Sequence, residues 1–152
     1  MVRWAAVLAL CMMAGASPLP RQARAQAAPA CAKTGFETVV DEAAAALRNL
    51  NLKNKPAFQD KLRQLKDKRG WSTDQFLKEA APFVRDDKIA VYDQKSDELL
   101  TSISTMGEEG SAAKAPDCAL LVELRARMKV LVETQTEKWT YMFGKIEGEL
   151  GK

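Results

Sequence analysis

The spacing of apolar residues constrains the fold of this chain more than any other feature. Between residues 34 and 150 they recur at three- and four-residue intervals, the period of one helix face, and runs of β-branched residues are few. This pattern predicts an all-α fold, a helical bundle of four to five helices. The longest such segment runs from Asp117 almost to Lys152 and predicts a long C-terminal helix, preceded by a loop at residues 107–116.

Local signals predict where the first two helices begin and end. Thr34 and Glu37 have the spacing of a capping box, so a first helix is expected from Thr34 to about residue 50. Three asparagines between residues 49 and 54 then predict a turn. A second helix is expected to begin near Pro56, because proline is tolerated at the first position of a helix.

The sequence GWSTDQF, residues 70–76, predicts a sharp junction. Gly70 can end the second helix in a left-handed conformation, and Ser72 and Gln75 have the spacing of a second capping box. Pro82 is expected to break the third helix, because it removes a backbone hydrogen bond and crowds the preceding turn. An aspartate at 86 or 87 can cap the restart.

The first residues have the three parts of a secretory signal. Arg3 is followed by an apolar stretch at 4–16 and then by small residues, which predict cleavage after Ala25 or Ala27. The stretch is shorter than the ~20 residues that a membrane-spanning helix requires, so no transmembrane anchor is expected. The expected organisation is a cleaved leader, an N-terminal extension and one helical domain, at residues 1–25, 26–33 and 34–152.

The cysteines support export to the periplasm or secretion. Cys11 is expected to be lost with the leader, which leaves Cys31 and Cys118. Two cysteines in an exported chain predict one disulfide bond. This bond would place the starts of the first and last helices at the same end of the bundle, so these helices should run parallel.

Charge and histidine content disfavour several classes of function. Three of the 23 basic residues lie in the leader and none of the 20 acidic residues does, so the processed chain is expected to have no net charge. Nucleic-acid binding then lacks its electrostatic support. The chain has no histidine, and paired cysteines leave no thiolate, so an enzyme, a metal site and a cofactor are not expected.

Charges are segregated along the chain. Residues 53–69 hold seven basic residues against two acidic ones, whereas residues 86–109 hold seven acidic against two basic. The two segments either face each other or present separate charged surfaces. The second arrangement suggests a non-catalytic envelope protein that binds another protein or the envelope surface through a basic helix. The candidate binding residues are Lys61, Arg63, Lys66, Lys68 and Arg69.

The last helix suggests an alternative function. Gln135 lies on its apolar face, and a polar residue there needs a partner or an exposed position at the edge of the bundle. Trp139, Tyr141 and Phe143 follow it closely. The protein would then be a carrier or sensor that holds an apolar small molecule between its helices, near these four residues.

Overall fold

A computed structural model describes residues 31–152, which form an all-α fold. The predicted leader, its cleavage site and Cys11 lie outside these residues. Three long helices are joined by two short ones and a brief loop. In chain order they are α1 (Lys33–Arg69), α2 (Thr73–Glu79), α3 (Ala81–Val84), α4 (Asp87–Ala112) and α5 (Cys118–Leu150).

The three long helices form an up-down-up bundle around α5. Cys31 and Cys118 lie within disulfide-bonding distance at one end, with their Cα atoms 4.8 Å apart. At the other end Arg69 forms an ion pair with Glu149 at 2.7 Å, so α1 and α5 run parallel, as predicted. The chain returns through α4, which is antiparallel to both. No helix within residues 31–152 is both long and apolar enough to cross a membrane.

The predicted turn between two N-terminal helices is wrong, because α1 continues through it. Pro56 lies inside the helix, and the asparagines at 49–54 are helical. Apolar residues on both sides of the proline, Ala43 and Phe58 among them, are buried in the bundle. Their burial along α5 keeps the two segments in line, although an interior proline costs about 3 kcal/mol.

The capping box predicted at the start of α1 is also wrong. The helix begins one residue earlier than expected, with Ala32 as its N-cap and no side chain accepting a hydrogen bond there. The carbonyl of Thr34 instead accepts a hydrogen bond from the hydroxyl of Thr38 at 2.8 Å. Cys31, two residues before the first residue of α1, lies beside Cys118.

The junction after α1 agrees with its sequence signals. Gly70 has a φ of 64° and ends α1 in the left-handed conformation. Ser72 and Gln75 form the predicted capping box at the start of α2. The predicted third helix is interrupted after α2 and continues as α3, which contains Pro82. The Asp86 carboxylate caps α4 by accepting from the Ile89 N–H at 2.8 Å.

The loop predicted at residues 107–116 is mostly wrong, because α4 extends to Ala112. Gly110 is buried, and a side chain on it would overlap the ring of Phe36. This close contact between α4 and α1 holds a segment that is otherwise rich in glycine and small residues. Between α4 and α5 only residues 113–117 are non-helical, and Asp117 caps α5, as predicted, by accepting from the Leu120 N–H at 2.9 Å.

The apolar core has two parts with a polar layer between them. The first lies toward the disulfide and includes Phe36, Val39, Ile103, Leu121, Leu124 and Leu131. The second lies toward the α2–α3 connection and includes Phe58, Leu62, Leu65, Phe83, Ile89 and Ile146. Between them, the amide of Gln135 donates to the hydroxyl of buried Ser96 at 2.6 Å, next to buried Thr134.

Candidate functional site

An open groove lies between α1 and α4, with α5 as its floor. Its volume is about 760 Å³. The lining positions of α1 and α4 recur every three or four residues, so one face of each helix forms a wall. Along α1 these positions span residues 33–47, about 21 Å at 1.5 Å per residue. The large apolar residues that line the groove are Phe36, Val40, Leu47, Leu100, Ile103, Met128 and Leu131.

Small residues leave the space between the two walls unfilled in the middle of the groove. Ala43 and Ala44 line it from α1, and Ser104 and Gly107 line it from α4. A Cβ added at Gly107 would meet no atom within 4 Å. At the end nearer the disulfide the Phe36 ring lies against Gly110 and brings the walls together. The groove is therefore open along its length and narrow at one end.

Apolar side chains on both walls are partly exposed to solvent. Val40 on α1 is 36% exposed and Leu100 on α4 is 48% exposed, and both line the groove. Exposed apolar surface gathered in a concave site is characteristic of ligand and partner binding. Charged residues stand along the same walls: Lys33, Glu37 and Asp41 on α1, and Glu108 on α4.

The basic residues proposed from the sequence lie in the other half of the molecule and do not form one patch. Lys61 pairs with Glu147 at 2.9 Å, and the Lys68 amine donates to the Leu150 carbonyl at 2.6 Å, both on α5. Arg69 pairs with Glu149 as described above. Lys66 instead lies toward α2, 5.8 Å from the ring centroid of Phe76, and Arg63 pairs with Asp60 within α1.

The acidic segment also contacts α5. Asp86 accepts hydrogen bonds from the Lys145 amine and from the Tyr141 hydroxyl, the latter at 2.8 Å, and Asp93 pairs with Lys138. The hydrogen bond from Lys145, with that from the Ile89 N–H, lowers the pKa of Asp86 to about 2. The bond to Asp86 raises the pKa of Tyr141. Within residues 31–152 no ion pair joins the basic segment to the acidic one.

The four residues of the predicted pocket are in contact with other side chains. Trp139 and Phe143 pack edge-on against Phe58, with ring centroids 5.9 and 5.4 Å from it. The Trp139 N–H donates to the Asn51 carbonyl oxygen at 3.2 Å. Gln135 and Tyr141 bond to Ser96 and Asp86, as given above. None of these four residues lines the groove.

Sequence reasoning missed the groove. Its signals were the run of four alanines at 43–46 and the glycine at 107, which supply the small residues on the two walls. Such residues are common in helices that pack closely, so the sequence could not distinguish an open groove from a tight contact. Only the separation of α1 and α4 shows that the space is open.

Within residues 31–152 no group of three or more His, Cys, Asp or Glu side chains is arranged to hold a metal ion. Comparisons with protein-family models, with curated proteins and with solved structures gave no match.

Proposed function

We propose that the protein is a non-catalytic, exported binding protein of the bacterial cell envelope, and that the groove between α1 and α4 holds an apolar small molecule. The observation that carries this proposal is the groove itself. Its volume of about 760 Å³ lies within the ~300–1,000 Å³ that is usual for small-molecule sites. The proposed function is therefore that of a carrier or sensor, and its binding site is the groove between α1 and α4 and not the region near Trp139.

The proposed export has two supports of different kinds. The sequence begins with the three parts of a secretory leader. The two cysteines that follow it lie within bonding distance in the fold. Disulfides persist in oxidising compartments such as the periplasm, whereas cytoplasmic thiols are kept reduced.

Native mass spectrometry tests the proposal on protein purified from its own host without refolding. We expect a bound molecule that is lost on denaturation. The variant Gly107→Leu fills the groove with a side chain that meets no neighbour at its Cβ, so it should abolish this extra mass. Gly144→Leu is the matched control, because Gly144 also has open space around it but lies outside the groove.

Two results would contradict the proposal. One is a bound molecule that survives Gly107→Leu, which would place it elsewhere. The other is a protein without any bound molecule that also fails to take up neutral dodecyl maltoside below its micelle concentration. The denatured mass tests export separately: a chain cut after Ala25 or Ala27, and lighter by the two hydrogens of a disulfide, is the expected result.

A second candidate is binding of the envelope surface or another protein through the basic half of α1. It is favoured by the exposure of Arg63 and Lys68. Arg63→Glu with Lys68→Glu should release the protein from anionic phosphatidylglycerol vesicles if this surface binds them. Arg125→Glu with Lys129→Glu, at two exposed positions of α5, is the control, because it changes the net charge by the same amount. Equal sedimentation of all three proteins with the vesicles would contradict binding through this surface.

A further inference from the structure

The charges that line the groove are mostly negative. Three carboxylates stand along its walls, Glu37 and Asp41 on α1 and Glu108 on α4, against one amine, that of Lys33. The amine lies 3.8 Å from the Glu37 carboxylate, so these two charges largely offset each other. Neither Asp41 nor Glu108 forms an ion pair within the part of the chain that the structure describes.

The carboxylates are gathered toward one end of the groove. Asp41 follows Glu37 by one helical turn on α1. Because α4 is antiparallel to α1 and Gly110 lies against Phe36, Glu108 on the opposite wall stands near the same level. The two walls therefore present negative charge to the same section of the groove.

The other end of the groove is uncharged. The lining residues near that end are Ala44, Leu47, Leu100, Ile103 and Leu131. The groove therefore changes along its length from an acidic section to an apolar one. A ligand that matched both sections would be an elongated molecule with a charged head group at one end.

We infer that the ligand of this groove is an amphipathic cation: a molecule with an extended apolar chain and a positively charged head group. This inference rests on the proposed function. The apolar chain lies along Leu47, Leu100 and Ile103 and is removed from water there. The head group lies between Asp41 and Glu108, where opposite charge favours a cation and disfavours an anion.

Three probes with matched alkyl chains and different head groups test the inference. They are dodecyltrimethylammonium, dodecyl maltoside and dodecanoate, each titrated calorimetrically below its micelle concentration into the exported, disulfide-bonded protein. We expect the cation to bind most tightly and the anion most weakly. Two carboxylates at exposed positions should separate the affinities of cation and anion by roughly two- to thirtyfold.

Two double variants test whether the preference for the cationic probe arises from the groove. Asp41→Asn with Glu108→Gln should remove the preference for the cation and leave the affinity for dodecyl maltoside unchanged. Glu42→Gln with Glu109→Gln is the matched control, since it removes the same charge one residue away on the same helices, outside the groove lining. The control should keep the preference of the unaltered protein.

The outcomes separate this inference from the proposed function. If all three probes bind with equal affinity and Gly107→Leu abolishes their binding, the groove is a binding site but the inference about the head group is wrong. If both double variants lose the preference equally, it arises from the overall charge, and the inference is again wrong. If no probe binds, the proposed function fails as well.

Discussion

The two ends of this bundle are built from the same three long helices, but the space between the helices is filled at one end and open at the other. We call them the disulfide half, around Phe36, Gly110 and the Cys31–Cys118 pair, and the aromatic half, around Phe58, Trp139 and Phe143. The aromatic half is filled by the segment between α1 and α4, which contains α2 and α3. From this segment Phe83 belongs to the core, and Trp71 and Phe76 pack against it. In the disulfide half no such segment within residues 31–152 covers the space between α1 and α4, and the groove remains open.

The two halves also differ in the ion pairs that join their helices. In the aromatic half, α5 forms ion pairs with both other long helices, through Lys61 and Glu147 on one side and Asp93 and Lys138 on the other. In the disulfide half the ion pairs within the described residues join positions of one helix, such as Lys33 and Glu37. The contacts between helices in this half are instead the apolar core and the Cys31–Cys118 pair at its end.

The largest effect on this comparison should come from removing the disulfide. The cysteines are 87 residues apart, and a closed loop of that length adds about 4 to 5 kcal/mol in the chain-entropy model. Cys31→Ser with Cys118→Ser should lower the free energy of unfolding by that order in urea titrations. It should also increase amide hydrogen exchange around Phe36 more than around Phe58. Uniform exchange across both halves would contradict a disulfide half held mainly by this bond.

Truncating Phe58 tests the aromatic half. The side chain is 3% exposed and contacts two aromatic rings, so Phe58→Ala should lower the free energy of unfolding by about 4 kcal/mol. Because the groove lies in the other half, affinity for a groove ligand should stay near that of the unaltered protein at temperatures where the variant is folded. A parallel loss of affinity would show that the halves are strongly coupled.

Two glycines on α4 distinguish the narrow end of the groove from its middle. Gly110→Ala should destabilise the fold by about 1 to 3 kcal/mol, because the new methyl group overlaps the Phe36 ring. Gly107→Ala should stabilise it by up to about 1 kcal/mol, since a Cβ there meets nothing and alanine favours the helix. Thermal unfolding of both variants is the measurement, and shifts of the same sign would contradict this geometry.

Acid should weaken the aromatic half through Asp86. Its pKa of about 2 lies below the ordinary value of 3.8, so its contribution to stability is present above pH 3.8 and is lost as pH falls toward 2. Urea midpoints at pH 6 and pH 2 should therefore differ less in Asp86→Asn than in the unaltered protein. Asp97→Asn, on an exposed position of the same helix, is the control. An unchanged difference in Asp86→Asn would contradict this role of Asp86.

Several features of the fold were readable from single residues. Gly70 ends a helix because only glycine takes a positive φ there without strain, and Ser72, Asp86 and Asp117 cap helices with their own side chains. These are interactions between residues at most a few positions apart. The pairing of Cys31 with Cys118 was readable for another reason, since the predicted export leaves no third cysteine.

The sequence predictions were wrong where contacts between residues far apart in the chain outweighed the local preference for a turn or a loop. Asparagine and proline favour a turn near Pro56, but burial of α1 along α5 on both sides keeps one helix there. Glycine, serine and proline favour a loop near Gly110, but the packing of Gly110 against Phe36 extends α4 to Ala112. In both cases a packing energy spread over many residues exceeded a local cost of a few kcal/mol.

The sequence by itself determined the helical class, most of the caps, the cysteine pair and the long C-terminal helix, because apolar periodicity and short-range hydrogen bonds specify them. Only the tertiary structure determined where an open groove lies between the helices. The groove depends on the separation of α1 and α4, whose lining residues are more than 50 positions apart in the chain. That separation depends on how α1 and α4 each pack against α5 and on the Phe36–Gly110 contact, and no local pattern specifies it.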